Sequence, residues 1–401
     1  MITKIHNKYY DLSKFKHPGG IIPLQLADNR DATELFESHH LFSDRSKLLQ
    51  ILAKCEIQHC DIVINNNDAY DWELTLKSDF TREFKQILKE SLEYKDMKAT
   101  WYTCFKIAIL GLLFIGNIYY YYQGSYVALL FYPATLWVFT VNIYHDASHF
   151  ALSHKPFLNI LGTYCGITLS TNYCWYHQHI IGHHCFVNIL GKDPDLYHST
   201  VTVRHTYDVP KNILHAYQYM TAWLMSLFAI PIGLQYIGFM QVILNIPYKG
   251  VVKLSTALDR NSIIFEFAFV ITYMIILPYT YIHNVLFIIY PIFAYSLLFM
   301  ICTQVNHLTL DTFCESKNFY IHQIVNSHNI SPQSFWIGLI TGGLNLQIEH
   351  HLVPSVNHDH LRKIQPKIKA LCKKYNIPYN CSDSMCEALY KHILHLYKFS
   401  L

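Results

Sequence analysis

Four stretches of this chain stay apolar for long enough to cross a bilayer: Trp101 to Tyr122, Tyr126 to Tyr144, Ile263 to Ile282 and Val285 to Cys302. A hydrocarbon core about 30 Å thick takes roughly 20 helical residues, and within it only helices or closed barrels satisfy every backbone polar group. The stretches pair into two hairpins whose tips, Gln123-Gly124-Ser125 and His283-Asn284, carry no Lys or Arg. Basic residues lie instead in 77 to 98, 145 to 260 and 303 to 401, so the positive-inside rule puts both termini in the cytosol. Tyrosines gather at the stretch ends, notably Tyr119 to Tyr122, as an interfacial belt requires. The expected class is an α-helical integral membrane protein with four transmembrane helices. Phe157 to Tyr173 and Ala216 to Ile246, shorter or broken by Pro231, Gly233 and Gly238, read as interfacial or re-entrant helices.

The rest is polar. A net charge of +3, spread over several segments, excludes a nucleic-acid surface. Eleven cysteines without a CxxC pair, and a polar first 20 residues with no cleavable signal, predict reduced thiols and a cytosolic N-terminus. Residues 1–64 form one polar unit, Asn65-Asn66-Asn67-Asp68 marks a composition shift, 65–76 reads as a linker, and 77–401 is the membrane unit. From Ser78 to Lys98, Phe80, Phe84, Ile87, Leu88 and Leu92 share one side of an amphipathic helix leading to the membrane. Asn329-Ile330-Ser331 is formally a glycosylation sequon, but this topology places it in the cytosol.

Three histidine clusters flank the apolar stretches: HDASH at His145 to His149, HQHIIGHH at His177 to His184, and QIEHH at Gln347 to His351. Topology puts all of them on the cytosolic side. His145 and His149, four apart, share a helix face, and His179 and His183 repeat that spacing with His184 rotated about 100 degrees. His350 and His351 complete the set, His307 follows directly after the fourth stretch, and His177, His154 and His328 stand near the clusters. Lone residues such as His205, His215, His322 and His392 read as ordinary polar side chains. So many imidazoles suit two first-row transition metals held in a cytosolic helical cap. A zinc hydrolase is disfavoured because the chain has no HExxH. An all-imidazole pair at a membrane face points to iron, O2 and an unactivated lipid C–H bond.

In residues 1–60, His17 precedes a Pro-Gly-Gly turn, and His39 and His40 follow a helix starting at Asp31-Ala32-Thr33. Two histidines on a haem leave no open iron position, which favours electron transfer. His17 is one candidate ligand and either His40 or His39 the other. Asn29, before the helix, suits left-handed backbone geometry.

These residues resemble front-end membrane fatty acyl desaturases, which fuse an N-terminal α+β cytochrome b5 domain to a desaturase with three histidine boxes. HPGG at His17 to Gly20 and DATELF at Asp31 to Phe36 match the haem domain. HDASH, HIIGHH with the following KDPDL at Lys192 to Leu196, and GGLNLQIEHHLVPSV at Gly342 to Val356 match the boxes. The resemblance covers nearly the whole chain. It implies a non-haem diiron centre, haem b, O2 as oxidant, a cytochrome b5 reductase as electron source, and a long-chain acyl substrate on coenzyme A or phospholipid. By position His145, His149, His179, His183, His184, His350 and His351 are expected as iron ligands, His307 as a further ligand, and Gln347, the front-end signature, as a weak or supporting one. His17 and His40 are expected on the haem, and the endoplasmic reticulum as the membrane. A complete cytochrome b5 domain has another strand and helix before the position of Met1, which implies a truncated domain. Asp28-Asn29 replaces the usual Ala-Gly pair. HIIGHH and KDPDL look most like fungal delta-5 enzymes. The rivals are a sphingolipid long-chain-base desaturase, a lipid hydroxylase, and a catalytically dead haem-binding protein, the last requiring broken boxes.

Overall fold

The computed structural model describes residues 1–58, 62–65 and 67–401. The N-terminal unit is a three-stranded antiparallel sheet with helices on one face. Strands β1 (Ile2–Ile5) and β2 (Lys8–Asp11) pair in register from Ile2 opposite Asp11 to Ile5 opposite Lys8, and β3 (Glu56–Ile57) pairs with β2. The hairpin turn is His6-Asn7, both at positive φ, the geometry that matches the strands' right-handed twist. Helices α1 (Ile22–Ala27), α2 (Thr33–His39) and α3 (Arg45–Ala53) follow. Asn29 takes the left-handed backbone its sequence context predicts, at φ 55. Asp31 then starts α2, its carboxylate accepting from Thr33 N (3.1 Å) and Thr33 Oγ1 (2.6 Å).

Four helices are long and apolar enough to span a membrane: Tyr94–Tyr122, Tyr126–Ser148, Ser262–Ile282 and Leu286–Gln304. They match the four predicted stretches, with the second running on into the first histidine cluster. Residues 213–243 form two helices, Ile213–Ser226 and Ala229–Ile243, bent by 78°, at the place where a broken or re-entrant element was predicted. Tyr121, Tyr132, Trp137 and Tyr295 are buried between the spans. Gly166 is required there, because a Cβ would sit inside the Tyr144 ring.

The amphipathic helix predicted to approach the membrane spans Asp79–Ser91, with Ser78 Oγ accepting from Thr81 N at its start. Its apolar face turns inward. Phe80, Phe84, Leu88 and Leu92 pack with Leu361, Ile364 and Ile368 of the helix Leu361–Lys374, and each fully buried large side chain contributes about 1.5–3 kcal/mol. The segment read as a linker is itself partly helical. Asp71 caps Trp72–Lys77, and Tyr70 and Trp72 pack edge-on and tilted against Phe319 at 5.1 Å. Asn66 of the composition shift lies outside the described residues.

The two units are docked by specific bonds. Gln25 Nε2 donates to Ala257 O (2.9 Å), Arg30 Nη2 to Lys253 O (2.9 Å) and Ser255 Oγ to Gln25 O (2.7 Å). Gly20, at φ +87, approaches Pro156 so closely that a Cβ would lie 2.8 Å from the proline ring. Glu37, 3% exposed, meets His6 Nε2 at 2.7 Å, Arg45 Nη1 at 2.8 Å and Lys85 Nζ at 3.8 Å. Burial raises the Glu37 carboxyl, but His6, Arg45 and Lys85 outweigh it and hold it below its ordinary value of 4.5. A depressed carboxyl contributes stability above the unfolded value that is lost as pH falls through the folded one. The stability that Glu37 gives the N-terminal unit through His6 and Arg45, and its docking through Lys85, are therefore expected to weaken below about pH 4.5. Glu37→Ala is expected to cost about 3 kcal/mol at pH 7, the low end for a buried pair because Arg45 is partly solvated. Hydrogen exchange across residues 1–58 measures it, and unchanged protection would contradict the role.

Candidate metal centre

The last turn of the second span carries His145, and His149 caps it. This helix ends in a Schellman motif: Phe150 N donates to Ala147 O (3.0 Å) and Ala151 N to Asp146 O (2.7 Å). The motif needs a left-handed residue where glycine is usual. Here it is Phe150, at φ 58, a conformation that costs an L-residue about 1–2 kcal/mol.

The second cluster is wound differently from the regular α-helix its spacing predicts. Tyr176–His183 is a π-helix closed by His184 N to His179 O, an i→i+5 bond. The wider turn overturns the predicted pairing of His179 with His183. His179 instead meets His184, with Nε2 atoms 3.2 Å apart, and His183 points to a separate group. Gly182 has no room for a Cβ because Pro194 fills that space, and this packing brings the KDPDL carboxylates to His183.

Two groups of imidazoles result. His145, His149, His179, His184 and His350 offer nitrogens all within 4.8 Å of one another, and so do His183, His307 and His351. In the first, His145 Nε2 lies 3.0 Å from His179 Nε2, and His350 Nε2 3.1 Å from His184 Nε2. In the second, His183 Nε2 lies 3.2 Å from His307 Nε2, and Gln347 Nε2 is 2.8 Å from the same His307 nitrogen. Separations near 3 Å are what adjacent ligands on one metal with bonds of about 2.1 Å produce. His149 has both ring nitrogens buried without a hydrogen-bond partner, and His351 its Nε2. Those orphaned atoms and the all-nitrogen donor set fit a pair of iron ions.

The outer ring nitrogens are anchored. His183 Nδ1 faces Asp193 at 3.1 Å and Asp195 at 3.3 Å. His307 Nδ1 meets Asn326 O at 2.9 Å, and His351 Nδ1 meets Gln323 Oε1 at 2.8 Å. Such partners fix the tautomer and aim the inner nitrogen. Burial, then the neighbouring histidines, hold His149, His179, His184, His350 and His351 well below the ordinary histidine value, and burial with His183 does so for His307. They are therefore neutral and ready to donate lone pairs. His183 differs: burial lowers it, but Asp193 and Asp195 override this and push it up to about 9. Glu349, beside the last pair, is pushed up to about 7 by burial and accepts from Tyr379 OH (2.7 Å) and Asn329 Nδ2 (2.8 Å). Asn329, the formal sequon residue, is thus a buried anchor.

A cavity runs from the histidines into the spans, with Trp137, Val141, Leu169, Phe299 and Leu344 on its apolar walls and His145, His179, His183, His307 and Gln347 at its polar end. A second cavity, of about 390 Å³, lies between His17 and His40. Their rings are 6.0 Å apart, centre to centre, at 90°, close to the separation of two imidazoles on opposite faces of one haem iron. His40 Nδ1 lies 2.9 Å from Phe36 O, which leaves its Nε2 for the iron. Gly19 must be glycine, since a Cβ would lie 2.9 Å from the His17 ring. His39 lines the same cavity without facing His17. Tyr94, Met97, Lys98, Phe150 and Ser355 close the far wall, so residues beyond 77 complete this cavity.

The other singled-out histidines are structural. His177 accepts from Ser255 N at 2.8 Å, His154 reaches Lys95 O at 3.3 Å, and His328 bonds Ser382 Oγ at 2.8 Å. His322 and His392 bond the carbonyls of Val187 (2.9 Å) and Leu308 (2.7 Å). His205 lies 3.2 Å from His395, and His215 closes a capping box with Asn212. Sequence reasoning missed Gln323 and Asn326, which carry no motif signal. It quoted Asp193 and Asp195 only as part of KDPDL.

Residues 123–383 match the family model described as Fatty acid desaturase, and residues 2–58 match Cytochrome b5-like Heme/Steroid binding domain. Among curated proteins, the chain is 28% identical to an Acyl-lipid (8-3)-desaturase B of Dictyostelium discoideum, covering 98% of this chain and 90% of the relative. It is 27% identical to an Acyl-lipid omega-13 desaturase of Chlamydomonas reinhardtii (99% and 93%) and 27% identical to a Delta(5) fatty acid desaturase A of Dictyostelium discoideum (98% and 89%). With both domains matched and the histidine groups assembled at the spans' ends, the chain belongs to the fatty acid desaturase family, as a desaturase fused to a cytochrome b5 domain.

Proposed function

We propose that this protein is a front-end acyl desaturase that places a cis double bond between an existing one and the carboxyl end of a long acyl chain. The observation that carries the reading is the meeting of two imidazole groups with the polar end of an apolar cavity between the spans. Gln347 at that meeting point, and relatives whose names include Delta(5) and (8-3) desaturases, support front-end chemistry and a delta-5 type position.

The proposed ligands are His145, His149, His179, His184 and His350 for one iron and His183, His307 and His351 for the other. Gln347 stands beside the inner nitrogen of His307, the one that faces His183, as a weak or supporting ligand. His17 and His40 hold haem b. Once bound, the iron pair supplies an oxidant from O2 strong enough for an unactivated C–H bond. In balance, two hydrogens leave the acyl chain, two electrons and two protons are taken up, and O2 becomes two waters. The chain's own residues do the rest. Trp137, Val141, Leu169 and Phe299 would keep the reacting carbons of the acyl chain dry beside the histidines, and a fixed near-attack position is worth several kcal/mol of barrier. Asp193 and Asp195 keep His183 aimed, and Trp175, stacked on His179 at 4.5 Å, stops that ring from turning.

The same reading makes residues 1–64 the haem domain, 65–76 the connector and 77–401 the desaturase. Both termini and the site face the cytosol, in the endoplasmic reticulum, with a cytochrome b5 reductase as donor and coenzyme A or phospholipid as carrier. A sphingoid base as substrate finds no observation in its favour.

Expressed in a host fed defined polyunsaturated fatty acids, the chain is expected to yield a new double bond located by mass spectrometry. The absence of any new acyl product would sink the proposal. His351→Ala is expected to abolish that product, and His17→Ala to reduce it to whatever an external cytochrome can sustain. Asp193→Asn is expected to weaken iron binding about 10–100-fold, measured by chelator competition. Unchanged affinity would contradict the anchoring role.

A further inference from the structure

Phe150 is the residue after His149, and it also lines the cavity between His17 and His40. His39, the residue before His40, lines the same cavity and sets its ring edge-on to Phe150, centres 6.3 Å apart at 69°. Its Nε2 is shielded from solvent and bonded to nothing. On its other side Phe150 lies parallel to Tyr176, at 6.4 Å, so the ring is held on two sides. A left-handed position that would ordinarily take glycine is thus given to an aromatic ring, and that ring is what fills the space between the two histidine groups. One aromatic residue and one peptide unit separate the haem cavity from the five-histidine group.

We propose that Phe150, with His39 at its edge, is the relay through which electrons enter the metal pair, arriving at the ion held by His149. The proposal rests on the assignment of His17 and His40 to haem and of His149 to iron. In each passage one electron leaves the haem iron, ferrous becoming ferric, and one ferric ion of the pair becomes ferrous. No bond or proton moves at Phe150 or His39. Tunnelling falls exponentially with distance through packed matter, so a ring spanning this gap governs the rate.

The test uses the full chain loaded with haem and iron, without O2. The haem is reduced by one photochemically delivered electron, and the ferrous haem absorbance is followed. Phe150→Asn removes the ring but keeps a residue that tolerates the left-handed region, as Asn29 and Asn188 do in this chain. It is expected to slow ferrous haem decay at least tenfold while leaving haem spectrum, midpoint potential and iron content unchanged. Phe150→Tyr is expected to keep the parental rate, and His39→Leu to slow decay less than Phe150→Asn. A parental rate in Phe150→Asn overturns the relay, as do equal slowing in Phe150→Tyr or loss of haem or iron from Phe150→Asn. A parent whose ferrous haem never decays overturns the relay together with the site assignment.

Discussion

Eight imidazoles packed against one another inside a protein form an arrangement that a pair of metal ions would hold together. Neutral rings with nitrogens near 3 Å apart cannot all donate hydrogen bonds to each other, and protonated ones would repel at low dielectric. The remaining elements arrange these rings. The second span and its cap deliver two, the π-helix two, the turn that follows it one, the exit of the fourth span one, and the short helix Gln347–Leu352 two. The outer carboxylates and amides then fix which nitrogen faces inward.

The split into five and three follows from backbone winding. In a regular α-helix, His179 and His183 would share a face. The π-helix moves the shared face to His179 and His184 and frees His183 for the second group. One extra residue in each hydrogen-bonded ring thus changes which histidine joins His179, while the segment still serves two metal positions. The Asp193–Asp195 loop makes the freed histidine the most basic of the set, and Gly182 is what admits that loop.

Much of this was legible in the sequence and some was not. The four spans follow from hydropathy and length, because backbone satisfaction in lipid leaves little choice. The boxed histidines and His307 follow from residue type at the ends of the spans. The π winding left no sequence mark, since α and π helices accept the same residues and differ only in which carbonyl each N–H finds. The amphipathic helix Asp79–Ser91 was legible as a helix, but its partner was not: an apolar stripe does not say whether lipid or Leu361–Lys374 will cover it. Gln323 and Asn326 were invisible because a single amide side chain gains meaning only from the ring it faces. The haem cavity was half legible. Residue type alone named His17 and left His39 and His40 open, the resemblance carried by HPGG and DATELF selected His40, and the wall formed by Lys98, Phe150 and Ser355 depends on docking between units far apart in sequence.

That docking gives the fusion its physical sense. The N-terminal unit contributes His17 and His40 and the desaturase unit closes the cavity between them, so on the proposed reading the electron donor and the metal pair share a wall. The claim on which all of this depends is that the two imidazole groups hold two iron ions. X-ray absorption at the iron edge, on purified full-length protein with metal content measured in parallel, tests it most directly. The expected result is two non-haem irons per chain, with nitrogen and oxygen neighbours at about 2.1 Å and the outer-shell scattering of several imidazoles. A single ion, zinc in place of iron, or sulfur among the ligands would contradict it.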